Sequence, residues 1–81
     1  MGERNGVLPY LRRIRELRED NDLSQTQIAK LLNVEQRTYS DYESGRIRIP
    51  LDSMMILAKY YDVSMDYICG LTKEQGYFPE K

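Results

Sequence analysis

Gln36, Arg37, Ser40, Asp41 and Ser44 recur at one- and three-residue steps, so that on a helix they share one polar face. Their chemistry is hydrogen bonding rather than bond making. A glutamine amide both donates and accepts, an arginine presents a planar fork of donors, serine does either, and an ionised aspartate only accepts. Nothing in the chain turns such a face into a catalytic one. There is no histidine, which removes the commonest general base and metal ligand. No P-loop, dinucleotide fingerprint or paired-cysteine metal site is present. Ser24 and Ser64 are both placed to cap helices. The sequence therefore predicts a non-enzyme with no cofactor and no metal.

The elements that must position this face are legible just upstream of it. Ser24 followed by Gln27 is a capping box, and Leu23 with Ile28 makes the apolar pair of a hydrophobic staple, so a helix is predicted to start at Gln25. Ile28, Ala29 and Leu32 share one side of it at helical spacing, and the small Ala29 lets another helix approach closely. Asn33 ends it, because asparagine tolerates the left-handed backbone that most side chains resist, and Val34 plugs the core. A second helix follows over Gln36 to Ser44, with Gly45 as its stop. Tyr39, Tyr42 and Glu43 lie on the side opposite the polar face, and the two tyrosines are assigned to the core. Glu35 falls at the N-cap although glutamate is not a preferred cap. Two short helices joined by a sharp turn, the second with an outward polar ridge, have the geometry that lays a helix in the DNA major groove.

Three further helices complete the chain. Pro9 suits a first helical turn, and Tyr10, Leu11, Ile14, Leu17 and Arg18 then recur at three- and four-residue steps, giving a helix to about Asp20. After the ridge, RIRIP is an extended basic connector that Pro50 closes. Leu51, Met54, Leu57, Ala58 and Tyr61 form the apolar face of a fourth helix. Val63 and Ile68 bracket Ser64 as another staple, which predicts a short fifth helix from Met65 to Cys69 stopped by Gly70. The sequence has no strand pattern, internal repeat or low-complexity segment. Cys69 is assigned to the apolar interior, and Met54 is a better core residue than Met55.

With 81 residues, 41% of them hydrophobic and 31% charged, the chain is one small domain and has neither the profile of a disordered protein nor that of a membrane protein. No apolar run reaches bilayer length, no leader pattern is seen, and the lone Cys69 allows no internal disulfide, so a cytoplasmic location is expected. Charge is less accommodating. Twelve basic against 13 acidic residues give a net charge of −1, where a DNA-binding domain more often has a basic footprint. Residues 1–48 hold nine of the basic and eight of the acidic residues. Any positive surface must come from placement, with Arg12, Arg15, Arg37, Arg46 and Arg48 as its candidates.

The SQ opening at Ser24 and Gln25, Ala29, the Asn33-Val34 turn, the TYSDYESG run and the IPL…LAKYYDVSMDYICG ending together resemble the Cro/phage-repressor family of helix-turn-helix proteins, also called the XRE family, across residues 11–71. The resemblance implies an all-α, compact five-helix, lambda-repressor-like DNA-binding domain over residues 9–71, with the helix-turn-helix at helices 2 and 3. It leaves a flexible N-terminus at 1–8 and a C-terminal tail at 72–81. It further implies that the third helix enters the major groove of a double-stranded operator with Gln36, Arg37, Ser40 and Asp41 at base edges. Gln36 suits adenine, Arg37 guanine, and Asp41 either accepts from cytosine or steadies Arg37. Ser24, Gln25, Arg15, Ser44, Arg46 and Arg48 are the expected phosphate contacts, and Arg18 with Glu43 the expected structural ion pair. Because one such module reaches few base pairs, the reading is of a regulator, a repressor or autoregulator, that binds an inverted repeat as a homodimer. Its subunits are expected to meet around Tyr67, Ile68, Leu71, Tyr77 and Phe78. A competing reading is a protein-interaction module, antitoxin-like or an anti-regulator, using the same scaffold on a regulatory protein partner; the net negative charge and Asp41 motivate it. A third is that the chain is the DNA-binding piece of a larger regulator.

Overall fold

The computed structural model describes residues 8–79. Residues 1–7, most of the segment expected to be a flexible N-terminus, lie outside the described residues, as do 80–81. Five helices run in order: α1 (Pro9–Asp20), α2 (Gln25–Leu32), α3 (Gln36–Ser44), α4 (Leu51–Tyr61) and α5 (Met65–Ile68). Among the described residues there is no strand, and no helix is long and apolar enough to cross a membrane.

Local chemistry accounts for the boundaries. Ser24 Oγ accepts from the Gln27 amide while Gln27 Oε1 accepts from the Ser24 amide, so both halves of the capping box are made. Asn33 ends α2 with φ 61°, and Gly45 ends α3 with φ 84°. Asp22 and Asp62 take the same left-handed conformation, at φ 56° each, after α1 and α4. Their short polar side chains tolerate it better than most. Glu35 makes no side-chain cap, in keeping with its residue type. Ser64 caps α5 by accepting from the Tyr67 amide.

The core is made by Ile14 and Leu17 of α1, Ile28, Ala29 and Leu32 of α2, Tyr39 and Tyr42 of α3, Met54, Leu57 and Ala58 of α4, and Val63 and Ile68 around α5. α2 packs chiefly on α3, α1 on α3 and α5, and α4 on α5. Each helix is too short to be stable alone, so this shared burial is what holds them.

Several expectations are corrected. Ile68 was placed at a subunit interface, yet its side chain is fully enclosed in the core, because the Val63 and Ser64 entry turns it inward. Leu51 was placed on the apolar face of α4, yet it is 66% exposed, since at the first position after the Pro50 cap it points away from the core. α5 stops at Ile68, with Cys69 as its cap. In the C-terminal tail the described residues, up to 79, are tied to the domain: Ser64 donates its amide to the Gln75 carbonyl at 2.8 Å, Phe78 donates its own to Asp62 Oδ1 at 3.4 Å, and the Phe78 ring packs against the core. Arg13, to which the sequence assigned nothing, ties this region to α1. Its guanidinium donates to the carbonyls of Tyr67 and Thr72 and lies 3.9 Å over the Tyr67 ring.

Candidate nucleic-acid interface

α3 has two unlike sides. Tyr39, Tyr42 and Glu43 are buried, whereas Gln36, Arg37 and Ser44 are exposed and Ser40 and Asp41 half-exposed. The polar ridge read from the sequence thus faces outward, pushed there by two tyrosine rings packed edge to face 6.3 Å apart.

Beneath that ridge lies a polar cluster built on Glu43, whose side chain is 1% exposed. Arg18 grips the carboxylate with both ends of its fork, Nε to Oε2 at 2.6 Å and Nη2 to Oε1 at 3.2 Å, and donates from Nη1 to the Leu23 carbonyl. Tyr39 donates its hydroxyl to Oε2 at 2.7 Å, and Gln25 donates its amide nitrogen to Oε1 at 3.1 Å. Arg15 Nε stands 3.6 Å from Oε1. Burial by itself favours the neutral acid, but the hydrogen bonds from Arg18, Tyr39 and Gln25 outweigh it and hold Glu43 below the ordinary carboxylate range. The same bond raises Arg18, while burial followed by the Glu43 hydrogen bond pushes the Tyr39 phenol well up, so it stays a donor. The pairing of Arg18 with Glu43 is as expected. The roles of Tyr39 and Gln25 were missed. Tyr39 is four residues from Glu43, a spacing that offered the clue; Gln25 and Glu43 are linked only by the fold.

Gln25 extends the cluster to the surface, because its Oε1 accepts from Gln36 Nε2 at 2.7 Å. The first residue of the ridge is therefore connected through one amide to the buried carboxylate. Of the other expected phosphate contacts, Ser24 Oγ is occupied as a cap, and Ser44 Oγ donates to the Asp41 carbonyl and accepts from the Arg46 amide. Arg12 and Arg15 border a hollow beside Ser44 at the end of α3. Arg37, Arg46 and Arg48 are exposed and have no ion pair among the described residues. Around α3 the outward charge is consequently positive. Glu43 is withdrawn and neutralised by Arg18, leaving Asp41 as the acidic member of the face.

Among the other expected surface residues, Leu71 and Tyr77 are exposed, at 76% and 78%, while Tyr67 and Phe78 are half-buried. Burial, with the Asp66 charge in second place, raises the Cys69 thiol, which suits an inert apolar role. Among the described residues no three His, Cys, Asp or Glu side chains are grouped to hold a metal ion.

Comparison with known proteins agrees with this geometry. A family profile described as helix-turn-helix matches residues 14–68. The uncharacterized HTH-type transcriptional regulator YobD of Bacillus subtilis (strain 168) is 42% identical over 65 residues, covering 80% of this chain and 58% of the relative. The cryptic phage CTXphi transcriptional repressor RstR of Vibrio cholerae is 39% identical over 51 residues, 63% of this chain and 46% of the relative. In three dimensions, the crystal structure of a transcriptional regulator from Listeria innocua superposes with a TM-score of 0.73 at 32% identity, over 80% of this chain and 61% of that one. The chain thus spans less than two thirds of each of these relatives. With the helix-turn-helix profile matched over residues 14–68, five helices and an outward polar ridge on the third, the chain belongs to the Cro/phage-repressor (XRE) type of the helix-turn-helix family.

Proposed function

We propose that the protein is a sequence-specific, double-stranded-DNA-binding regulator of transcription, a repressor that occupies an inverted-repeat operator as a homodimer. One observation carries the reading: α3 anchors itself by Tyr39, Tyr42 and Glu43 and turns Gln36 and Arg37 outward. The B-DNA major groove admits an α-helix, and there Gln36 pairs with an adenine edge and Arg37 with guanine, each worth about 1–3 kcal/mol of discrimination. Ser40 and Asp41 follow on the same face. Gln25 keeps a second amide hydrogen for a phosphate, aided by the exposed amides at the start of α2. Arg15, Arg46 and Arg48 flank α3 and supply charge to the backbone, while Ser24 and Ser44 line its margins. The relatives support regulation of transcription, and the name of RstR supports repression in particular.

A module of this size reaches few base pairs, so two copies are placed on half-sites about one helical turn, ~34 Å, apart. Leu71 and Tyr77, with the outer edges of Tyr67 and Phe78, form the subunit contact. Sedimentation of the protein on a symmetric duplex checks this: two chains per duplex are expected, and a single bound chain at saturation ends the dimeric reading.

Selection from a randomised duplex library tests the whole assignment. Gln36→Ala and Arg37→Ala should each change the preferred base at one position per half-site. Arg48→Ala should weaken binding to all sequences and lower the salt slope by about one. If wild type and both α3 variants select the same site, α3 does not read it.

The competing reading, a module for a regulatory protein partner, draws on the net charge of −1 and on the exposed apolar residues Leu31, Ile56 and Tyr60, which line one hollow. A stoichiometric protein complex together with no duplex binding at low salt favours it.

A further inference from the structure

Glu43, Gln25 and Gln36 form a directional chain of hydrogen bonds from the core to the surface. Gln25 Nε2 donates to Glu43 Oε1 at 3.1 Å, and Gln36 Nε2 donates to Gln25 Oε1 at 2.7 Å. Each link constrains the next. An ionised carboxylate only accepts, so it rejects the oxygen of Gln25 and requires its nitrogen. That turns the Gln25 oxygen toward α3. A carbonyl oxygen also only accepts, so Gln36 must in turn face it with nitrogen. What Gln36 has left is its own oxygen and one remaining N–H, in a fixed order.

Nothing at Glu43 allows the chain to reverse. Its two oxygens already receive Arg18 twice and Tyr39 once, and the side chain is 1% exposed, so it neither swings away nor exchanges Gln25 for solvent. Were Gln36 to flip, its oxygen would meet the oxygen of Gln25. An unanchored glutamine has no such restriction, because its two amide orientations differ little in shape and exchange donor for acceptor.

We propose that Glu43 is a positioning residue for base recognition: through Gln25 it sets which way Gln36 turns its amide, and so fixes the donor–acceptor order that α3 presents to a base edge. This deepens the proposed function and rests on α3 reading base edges through Gln36. Adenine offers an acceptor at N7 and a donor at N6 in the major groove, the complement of one N–H and one oxygen. The chain therefore acts on selectivity more than on affinity. It leaves binding to the matching base almost unaltered and penalises any base that needs the reversed amide.

The test compares wild type, Gln36→Ala, Gln25→Met and Glu43→Gln on duplexes that vary at the single base position that Gln36→Ala identifies. Gln25→Met breaks the chain and leaves the Arg18–Glu43 pair intact, so it can still overturn the proposal if Glu43→Gln does not fold at the assay temperature. Thermal unfolding of each variant shows which is folded. A bidentate glutamine carries a preference of about 5- to 150-fold. In Gln25→Met that preference should fall by about threefold or more at this position alone. Any lost phosphate contact appears separately, as an equal weakening on every duplex. A folded Glu43→Gln should lose the same preference while its affinity for the best duplex changes less than about threefold, since a neutral amide at 43 accepts either orientation of Gln25. If Gln25→Met or a folded Glu43→Gln keeps the wild-type preference that Gln36→Ala loses, Glu43 has no part in selectivity and the proposal is overturned while the α3 reading stands. If Gln36→Ala itself keeps the preference, both are overturned.

Discussion

Replacing Glu43 by alanine is expected to destabilise the protein by about 3 kcal/mol, because it leaves the Arg18 guanidinium largely buried with only the exposed Glu19 carboxylate, 4.0 Å away, as a counter-charge. Against a net stability of about 0.1 kcal/mol per residue, that is a large share of what an 81-residue chain has. The loss does not measure a net gain from the pair, since the reference is a poorly compensated charge. The double replacement Arg18→Met with Glu43→Leu should recover most of it, and urea unfolding of the two single variants and the double one makes the comparison. An additive loss in the double variant would show that the two residues do not act together. pH provides a second check. Glu43 has its pKa lowered in the folded state from an ordinary value of 4.5, so its contribution is complete above that value and drains away as the pH falls from 4.5 through the lower folded value. The stability advantage of wild type over Glu43→Gln should accordingly shrink with acidification across that window and hold steady above it.

Gly70→Ala is expected to be the most damaging single methyl group. Gly70 has φ 84°, and a Cβ there would stand 2.5 Å from Pro9 Cβ and 3.2 Å from the Pro9 carbonyl carbon. The pyrrolidine ring and the backbone behind it have no rotamer with which to withdraw. Gly45 provides the control: its φ is also 84°, but its Cβ would meet Leu11 Cδ1 at 2.9 Å, the far end of a flexible side chain. Gly45→Ala should therefore cost roughly the 1–3 kcal/mol of the backbone conformation, and Gly70→Ala that amount plus about 1–3 kcal/mol of overpacking. Thermal unfolding of both variants reads the difference; equal losses would mean that α1 moves off Pro9 at little cost.

Residues close in sequence settled much of the molecule without help from the fold. Ser24 with Gln27, Leu23 with Ile28, Asn33, Gly45, and Ser64 with Val63 and Ile68 define helix ends through contacts a few residues apart, and the spacing of Ile28, Ala29, Leu32, Tyr39 and Tyr42 marks the inward sides. From these follow α2, α3 and α5, the turn between α2 and α3 and the outward ridge from Gln36 to Ser44, and the Pro9 and Pro50 starts with the apolar spacing behind them add α1 and α4. The family resemblance also carried the Arg18–Glu43 pair, which periodicity does not encode across 25 residues.

What the tertiary structure decided are the contacts between residues far apart along the chain. Periodicity assigns Ile68 an apolar role but not the side of the molecule it faces, and the packed structure encloses it. Composition counts Glu43 among 13 acids, whereas burial against Arg18 removes it from the surface and leaves the margin of α3 positive despite a net charge of −1. Gln25 reads from sequence as a phosphate contact at a helix start; only the approach of α2 to α3 reveals its hold on Gln36. Arg13 over Tyr67, Phe78 against the core and Gly70 against Pro9 belong to the same class. The physical reason is common to all of them. Caps and helical faces are short-range and repeat with the backbone, whereas charge burial, hydrogen-bond direction and close approach depend on which elements meet, and that emerges only when the whole core closes.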